Sequence, residues 1–169
     1  MPSSNATYAH DVKKIRDLAL KALVEDVPFI QFLGVYFERC GDELTGVLPY
    51  SEKFIGNPEL PAIHGGVTAA FLEVTSLITL SWTIFLREMN LNTNEIDNTS
   101  VGGSMRLPKT IDFSVDYLRS GLPVDAYARA TISRSGRRYA SVQVEAWQDT
   151  RHKLFAHGTC HFLMPEQSK

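Results

Sequence analysis

The residues best placed to do chemistry are a His64-Gly65-Gly66 triplet and, nine positions after the histidine, the carboxylate of Glu73. Two successive glycines permit close backbone approach. If a helix starts there, its first N–H groups have no partner within the helix and point outward. With the helix macrodipole they form a site for developing negative charge, the chemistry of an oxyanion hole. Glu73 interrupts the most apolar stretch of the chain, Val67 to Leu86. An ionisable group in such a helix is costly unless it is paired or used. Its neighbours at helical spacings of three and four are Ala69, Ala70, Ser76 and Leu77, of which the two alanines and the serine leave room for a ligand beside the carboxylate. Partial desolvation suits a general base. A structural glutamate held by a backbone group or an arginine is the other reading. Nine residues at about 100° each would set His64 and Glu73 on opposite faces of one regular helix, so they are not a same-face metal pair. His64 reads instead as a loop residue that shapes the helix start.

The remaining candidates carry less. His157 and His161 would share one side of a strand, but no third ligand accompanies them. His10 and His152 read as surface or structural, and Cys40 and Cys160 as core thiols. Arg119 follows a strand end, while Arg134, Arg137 and Arg138 surround the Ser135-Gly136 turn. These arginines could form a basic rim for phosphates, or simply a solvated hairpin tip. Seventeen basic residues against nineteen acidic ones give a net charge of −2, which offers no drive toward duplex nucleic acid. A P-loop, a dinucleotide fingerprint and a G-x-S-x-G elbow are all absent from the sequence.

These residues must be held by a small set of elements. A chain of 169 residues with 44% hydrophobic and 21% charged residues suits one domain with its own core. We expect a single domain over residues 1–169, with 1–8 and 165–169 loose. Apolar positions at Val12, Ile15, Leu18, Ala19, Ala22 and Leu23 predict an amphipathic helix from about His10 to Asp26, ended by Val27-Pro28. Short strands are predicted over about Gly34 to Cys40 and Glu43 to Tyr50, around a Gly41-Asp42 turn. A loop, Ser51 to Ile63, leads into the apolar helix, and a second, Arg87 to Lys109, leaves it. Thr110 to Leu118, Val124 to Ser133, Arg138 to Trp147 and Lys153 to Met164 then read as strands. Tight turns between them favour antiparallel pairing. The pattern predicts an α+β fold in which about six antiparallel strands are covered by one long helix. Val67 to Leu86 has the length of a membrane span, but Glu73 and its hydroxyl residues favour a buried helix inside a globular fold, so no membrane span is expected. The polar first twenty residues contain no secretory apolar run, so a cytoplasmic location is expected.

The His64-Gly65-Gly66 triplet, the acidic residue nine positions on and the upstream Asn57 resemble the hotdog-fold acyl-CoA thioesterases of the PaaI type. The run from Phe113 to Gly121 looks like the strand that follows the central helix in that family, and Ala156-His157-Gly158-Thr159 resembles its last strand. The likeness covers about Gly34 to Met164. It implies a hotdog fold, with an additional N-terminal helix here. It implies further that Glu73 activates water or attacks a thioester carbonyl, that the Gly66 amide holds the carbonyl oxygen, and that Asn57 and His64 position the reactants. Thr110 matches a Ser/Thr position that orients water in some members. Gly65, Arg119, Arg137 and Arg138 would serve the coenzyme A moiety. Coenzyme A then enters as part of the substrate, with no other cofactor and no metal.

By the same resemblance the active site lies at a dimer interface, Glu73 and His64 facing each other from different subunits of a homodimer or homotetramer. The function implied is hydrolysis of an acyl-CoA or related thioester. A hotdog hydratase or dehydratase and a non-catalytic acyl-CoA-binding module are the alternatives.

Overall fold

The computed structural model describes residues 4–91 and 106–166. Helix α1 spans Ser4–Glu25 and buries Ala19, Leu20 and Leu23, part of the stripe read from the sequence. It starts earlier than expected and includes residues 4–8, which were expected to be loose. Val27-Pro28 does end α1, but a second helix, α2 (Pro28–Leu33), follows at once. Proline at the first helical position surrenders an N–H that would be unpaired anyway. Gly34, at φ 71°, closes α2 in the left-handed conformation and donates to the carbonyls of Ile30 and Gln31.

Strands β1 (Tyr36–Cys40) and β2 (Glu43–Leu48) form a hairpin in which Gly41 turns at φ 63°. After a 3-10 turn at Glu52–Phe54 comes the long helix α3, Gly65–Leu91. Arg87–Leu91, expected as loop, continue α3; the rest of the expected 87–109 loop as far as residue 105 lies outside the described residues. Strands β3 (Lys109–Tyr117), β4 (Ala126–Ser135), β5 (Tyr139–Trp147) and β6 (Ala156–Leu163) complete one antiparallel sheet. Its spatial order is β1-β2-β4-β5-β6-β3, so β1 and β3 are the edges.

Alternation sorts each strand into two faces. Ala126, Ala128, Ala140, Val142, Val144, Ala146, Ala156, Cys160 and Phe162 face α3 and are fully or almost fully buried. So many alanines let the helix lie close to the sheet. From α3, Phe71, Leu72, Ile78, Leu80 and Trp82 fill the space between, each burial contributing roughly 1.5–3 kcal/mol. Four hydroxyls of α3 are satisfied within the helix, while that of Thr79 is buried with no partner among the described residues. Thr75 donates to Phe71 O, Ser76 to Leu72 O, Ser81 to Leu77 O and Thr83 to Thr79 O. The helix is long and apolar enough to cross a bilayer, but half of its most apolar window is buried in the protein. A six-stranded antiparallel sheet around one long helix, preceded by an N-terminal helix, is the hotdog fold.

Candidate active site

The segment before α3 is a small closed loop. Ile55 bridges to Ile63, the Gly56 N–H donates to Ala62 O, and the His64 N–H donates to Phe54 O at 2.8 Å. From the other side, the Ile63 N–H donates to Gly121 O at 2.8 Å. Buried Phe54 and Ile63 anchor the loop to the core. Gly56 is needed for space, because a Cβ there would lie 2.8 Å from the imidazole Cδ2 of His64.

His64 caps the helix. Its carbonyl accepts the N–H groups of Val67 and Thr68, and its Nδ1 accepts the Gly66 N–H at 2.9 Å. The neutral ring therefore carries its proton on Nε2. In this arrangement the Gly66 amide, expected to hold a carbonyl oxygen, gives its one proton to His64. The amide of Gly65 precedes it, and no partner for that N–H occurs among the described residues. Gly65 O accepts the hydroxyl of Tyr117 at 2.8 Å.

Glu73 lies about two turns into α3 and is half-buried. Its carboxylate makes no hydrogen bond or ion pair among the described residues, so nothing there holds it as a structural glutamate. Its position facing β6 registers on Cys160, whose thiol is pushed up to about 12. Burial is the main cause, the Ser76 hydroxyl opposes it, and the charges of Glu73 and Asp112 add to it.

Gly65 and Glu73 are eight residues apart on one helix, a rise of about 12 Å. An oxyanion donor must lie about 3 Å from the oxygen it stabilises, and an attacking group about as close to the adjacent carbon. One copy of α3 therefore cannot present both groups to one carbonyl.

The other expected site residues fall in three places. Asn57 is exposed in the closed loop, where its Oδ1 accepts the Glu59 N–H at 3.0 Å, the turn-forming role its surroundings suggest. Thr110 is half-buried on β3, opposite Phe162 and beside a bulge. Arg119 is exposed just beyond Tyr117, at the Gly65 end of the sheet. Arg137 and Arg138 occupy the β4–β5 turn, whose neighbour Tyr139 pairs with Leu163, itself opposite Lys109. The length of β3 separates these ends, about 26 Å, so the three arginines form no single rim within one chain. Sequence reasoning missed Tyr117, whose only signal was a phenol at the end of a strand, two residues beyond half-buried Val115. Among the described residues no cluster of three or more His, Cys, Asp or Glu could hold a metal ion.

Residues 60–155 match the family described as the thioesterase superfamily. The medium/long-chain acyl-CoA thioesterase YigI of Escherichia coli K12 is 29% identical over 125 residues, 72% of this chain and 76% of that protein. A solved protein of Chromobacterium violaceum is 30% identical with a TM-score of 0.61, the alignment covering 92% of this chain and 99% of the other. A Shewanella oneidensis protein related to the thioesterase superfamily shares the fold at 21% identity and a TM-score of 0.66, over 89% of this chain and 95% of its own. The chain belongs to the thioesterase superfamily, which makes it an enzyme of the thioester-hydrolase class.

Proposed function

We propose that this protein hydrolyses acyl-CoA thioesters to the free acid and coenzyme A, at sites built by two copies of the chain. The observation that carries this reading is the division of labour on α3. Glu73 and the Gly65 amide, neither with a partner among the described residues, lie about 12 Å apart. Each is useful to a thioester only if a second helix supplies the other.

Strand β3 offers the means. Among the described residues it is an edge strand with one row of unpaired backbone groups, and it carries exposed Ile111 and Tyr117. Antiparallel addition of a second β3 about a two-fold axis at mid-strand brings the Tyr117 end of one copy beside the Thr110 end of the other. The partner's Gly65, tied to its own Tyr117, then approaches Thr110 and Glu73. The same operation carries the partner's Arg119 to the end of the sheet that bears Arg137 and Arg138. A basic rim for the phosphates of coenzyme A thus forms between copies.

In this site the Gly65 amide accepts the developing charge on the thioester oxygen. Glu73 takes a proton from water as hydroxide adds to the carbonyl carbon, or adds to that carbon itself. The C–S bond then breaks, and the coenzyme A thiolate leaves and is protonated. On the second route, water hydrolyses the resulting anhydride and restores the carboxylate. Thr110 orients the water, and the Nδ2 of Asn57, without a partner among the described residues, is available to the acyl carbonyl. The relative named as a medium/long-chain acyl-CoA thioesterase supports fatty acyl groups as substrates.

The test is thiol release from short, medium, long and aryl acyl-CoAs by wild type and by Glu73→Gln. Wild type should turn over medium and long chains best, and the variant should lose at least about a hundredfold in kcat while staying folded. Equal rates would remove Glu73 from the reaction. Binding of acyl-CoA without turnover by wild type would point to a binding module.

A further inference from the structure

The phenol of Tyr117 has no part in the reaction just described, yet it touches the peptide that follows the oxyanion donor. We infer that Tyr117 is a positioning residue, a strut that fixes the direction of the Gly65 N–H. This inference rests on the proposed role of Gly65.

Three observations carry it. First, the Tyr117 hydroxyl donates to Gly65 O at 2.8 Å, while the N–H of the same peptide unit donates to His64 Nδ1 at 2.9 Å. Both polar groups of the Gly65–Gly66 peptide plane are therefore held, from opposite sides, by two different side chains. Second, the preceding residue is held as well, since the His64 N–H donates to Phe54 O at 2.8 Å. The donor amide thus sits between two anchored points, although a Gly-Gly pair would otherwise be the most mobile place on the backbone.

Third, Gly65 has no positive φ, so its backbone is open to any L-residue. What the glycine provides is contact. A Cβ at position 65 would come within 3.3 Å of the phenol carbon and oxygen of Tyr117, so the absence of a side chain lets the ring lie against the backbone. Donors that are fixed before the charge develops stabilise a transition state without reorganising.

The strut also stands at the end of β3, the strand proposed to join two copies. It therefore ties the donor of one chain to the joint across which that donor must act.

The experiment compares wild type, Tyr117→Phe and Glu73→Gln on the same medium-chain acyl-CoA, with thermal midpoint and oligomeric state measured on each. Tyr117→Phe keeps the ring and loses only the hydroxyl. Its kcat should fall about tenfold, with KM within about twofold, and the loss should be equal for every acyl chain length. Midpoint and oligomeric state should match wild type. A kcat within about twofold of wild type overturns the inference, as does a variant that loses activity by unfolding or dissociating. Glu73→Gln separates the two levels. If it is inactive while Tyr117→Phe is fully active, the strut alone is wrong. If it is fully active, the proposed site is wrong and the strut falls with it.

Discussion

The imidazole Nδ1 of His64 and the backbone N–H of Gly66 meet at 2.9 Å, so the residue that ends the loop also starts the helix. One side chain thus pairs the second amide of α3, while the first has no partner among the described residues. The cap is a neutral acceptor beside the positive end of the helix dipole.

Losing this cap should be visible in stability before it is visible in chemistry. His64→Ala should cost about 1 kcal/mol, lowering the thermal midpoint by roughly 2–4 °C. His64→Asn, which supplies another good capping acceptor, should recover most of that shift. Scanning calorimetry of the two variants checks the expectation, and equal midpoints for wild type and His64→Ala would show that the cap carries no stability.

The spacing of Gly65 and Glu73 predicts complementation. Gly65→Pro removes the amide proton at a helix position where proline is tolerated, and Glu73→Gln removes the charge. Each homodimer should be inactive. After mixed refolding, about half of the dimers are hybrids, and one of the two sites in each hybrid has both wild-type groups. Activity should return to about a quarter of wild type. No recovery would mean that both groups serve the same site from one chain, or that neither serves it.

The phosphates of coenzyme A should matter to the arginines, and the acyl group should not. The double variant Arg137→Ala, Arg138→Ala should raise KM for an acyl-CoA about fivefold to tenfold at low salt, with kcat unchanged. With the matching acyl-pantetheine, which lacks the nucleotide, KM should stay level. Equal effects on both substrates would remove these arginines from recognition.

The two cysteines should differ sharply in reactivity. Cys40 is exposed and Cys160 is buried. Its environment raises the Cys160 thiol from its ordinary 9.0 to about 12, chiefly by burial. Ellman's reagent at pH 8 should titrate one thiol in the native protein and both after denaturation. The shift also has a sign in stability. The folded state keeps the proton that the unfolded chain releases, so this contribution is complete below about pH 9 and is lost as pH rises toward 12.

Much of this architecture is legible in the amino-acid order, for identifiable reasons. Helix α3 announces itself by apolar density, and Glu73 stands out because a charge in that setting is expensive. The strands show through alternation and through turns such as Gly41-Asp42 and Ser135-Gly136. Helix α2 escaped because six residues, the first of them a proline, cannot display a helical period. The choice between Gly65 and Gly66 was equally hidden, since it depends on where the imidazole of His64 folds back. The separation of Arg119 from Arg137 and Arg138 follows from strand register, which local sequence does not encode.

The hydroxyls inside α3 have a consequence for how such a protein can change over time. Thr75, Ser76, Ser81 and Thr83 each bond a carbonyl one turn back on their own helix. Each of these four hydroxyls therefore has a partner that the strands do not supply. The strands can therefore exchange one apolar residue for another, position by position, without leaving these four hydroxyls unpaired. Evolutionary drift on the helix-facing side of the sheet is thereby limited by packing alone, and not by these four hydrogen bonds.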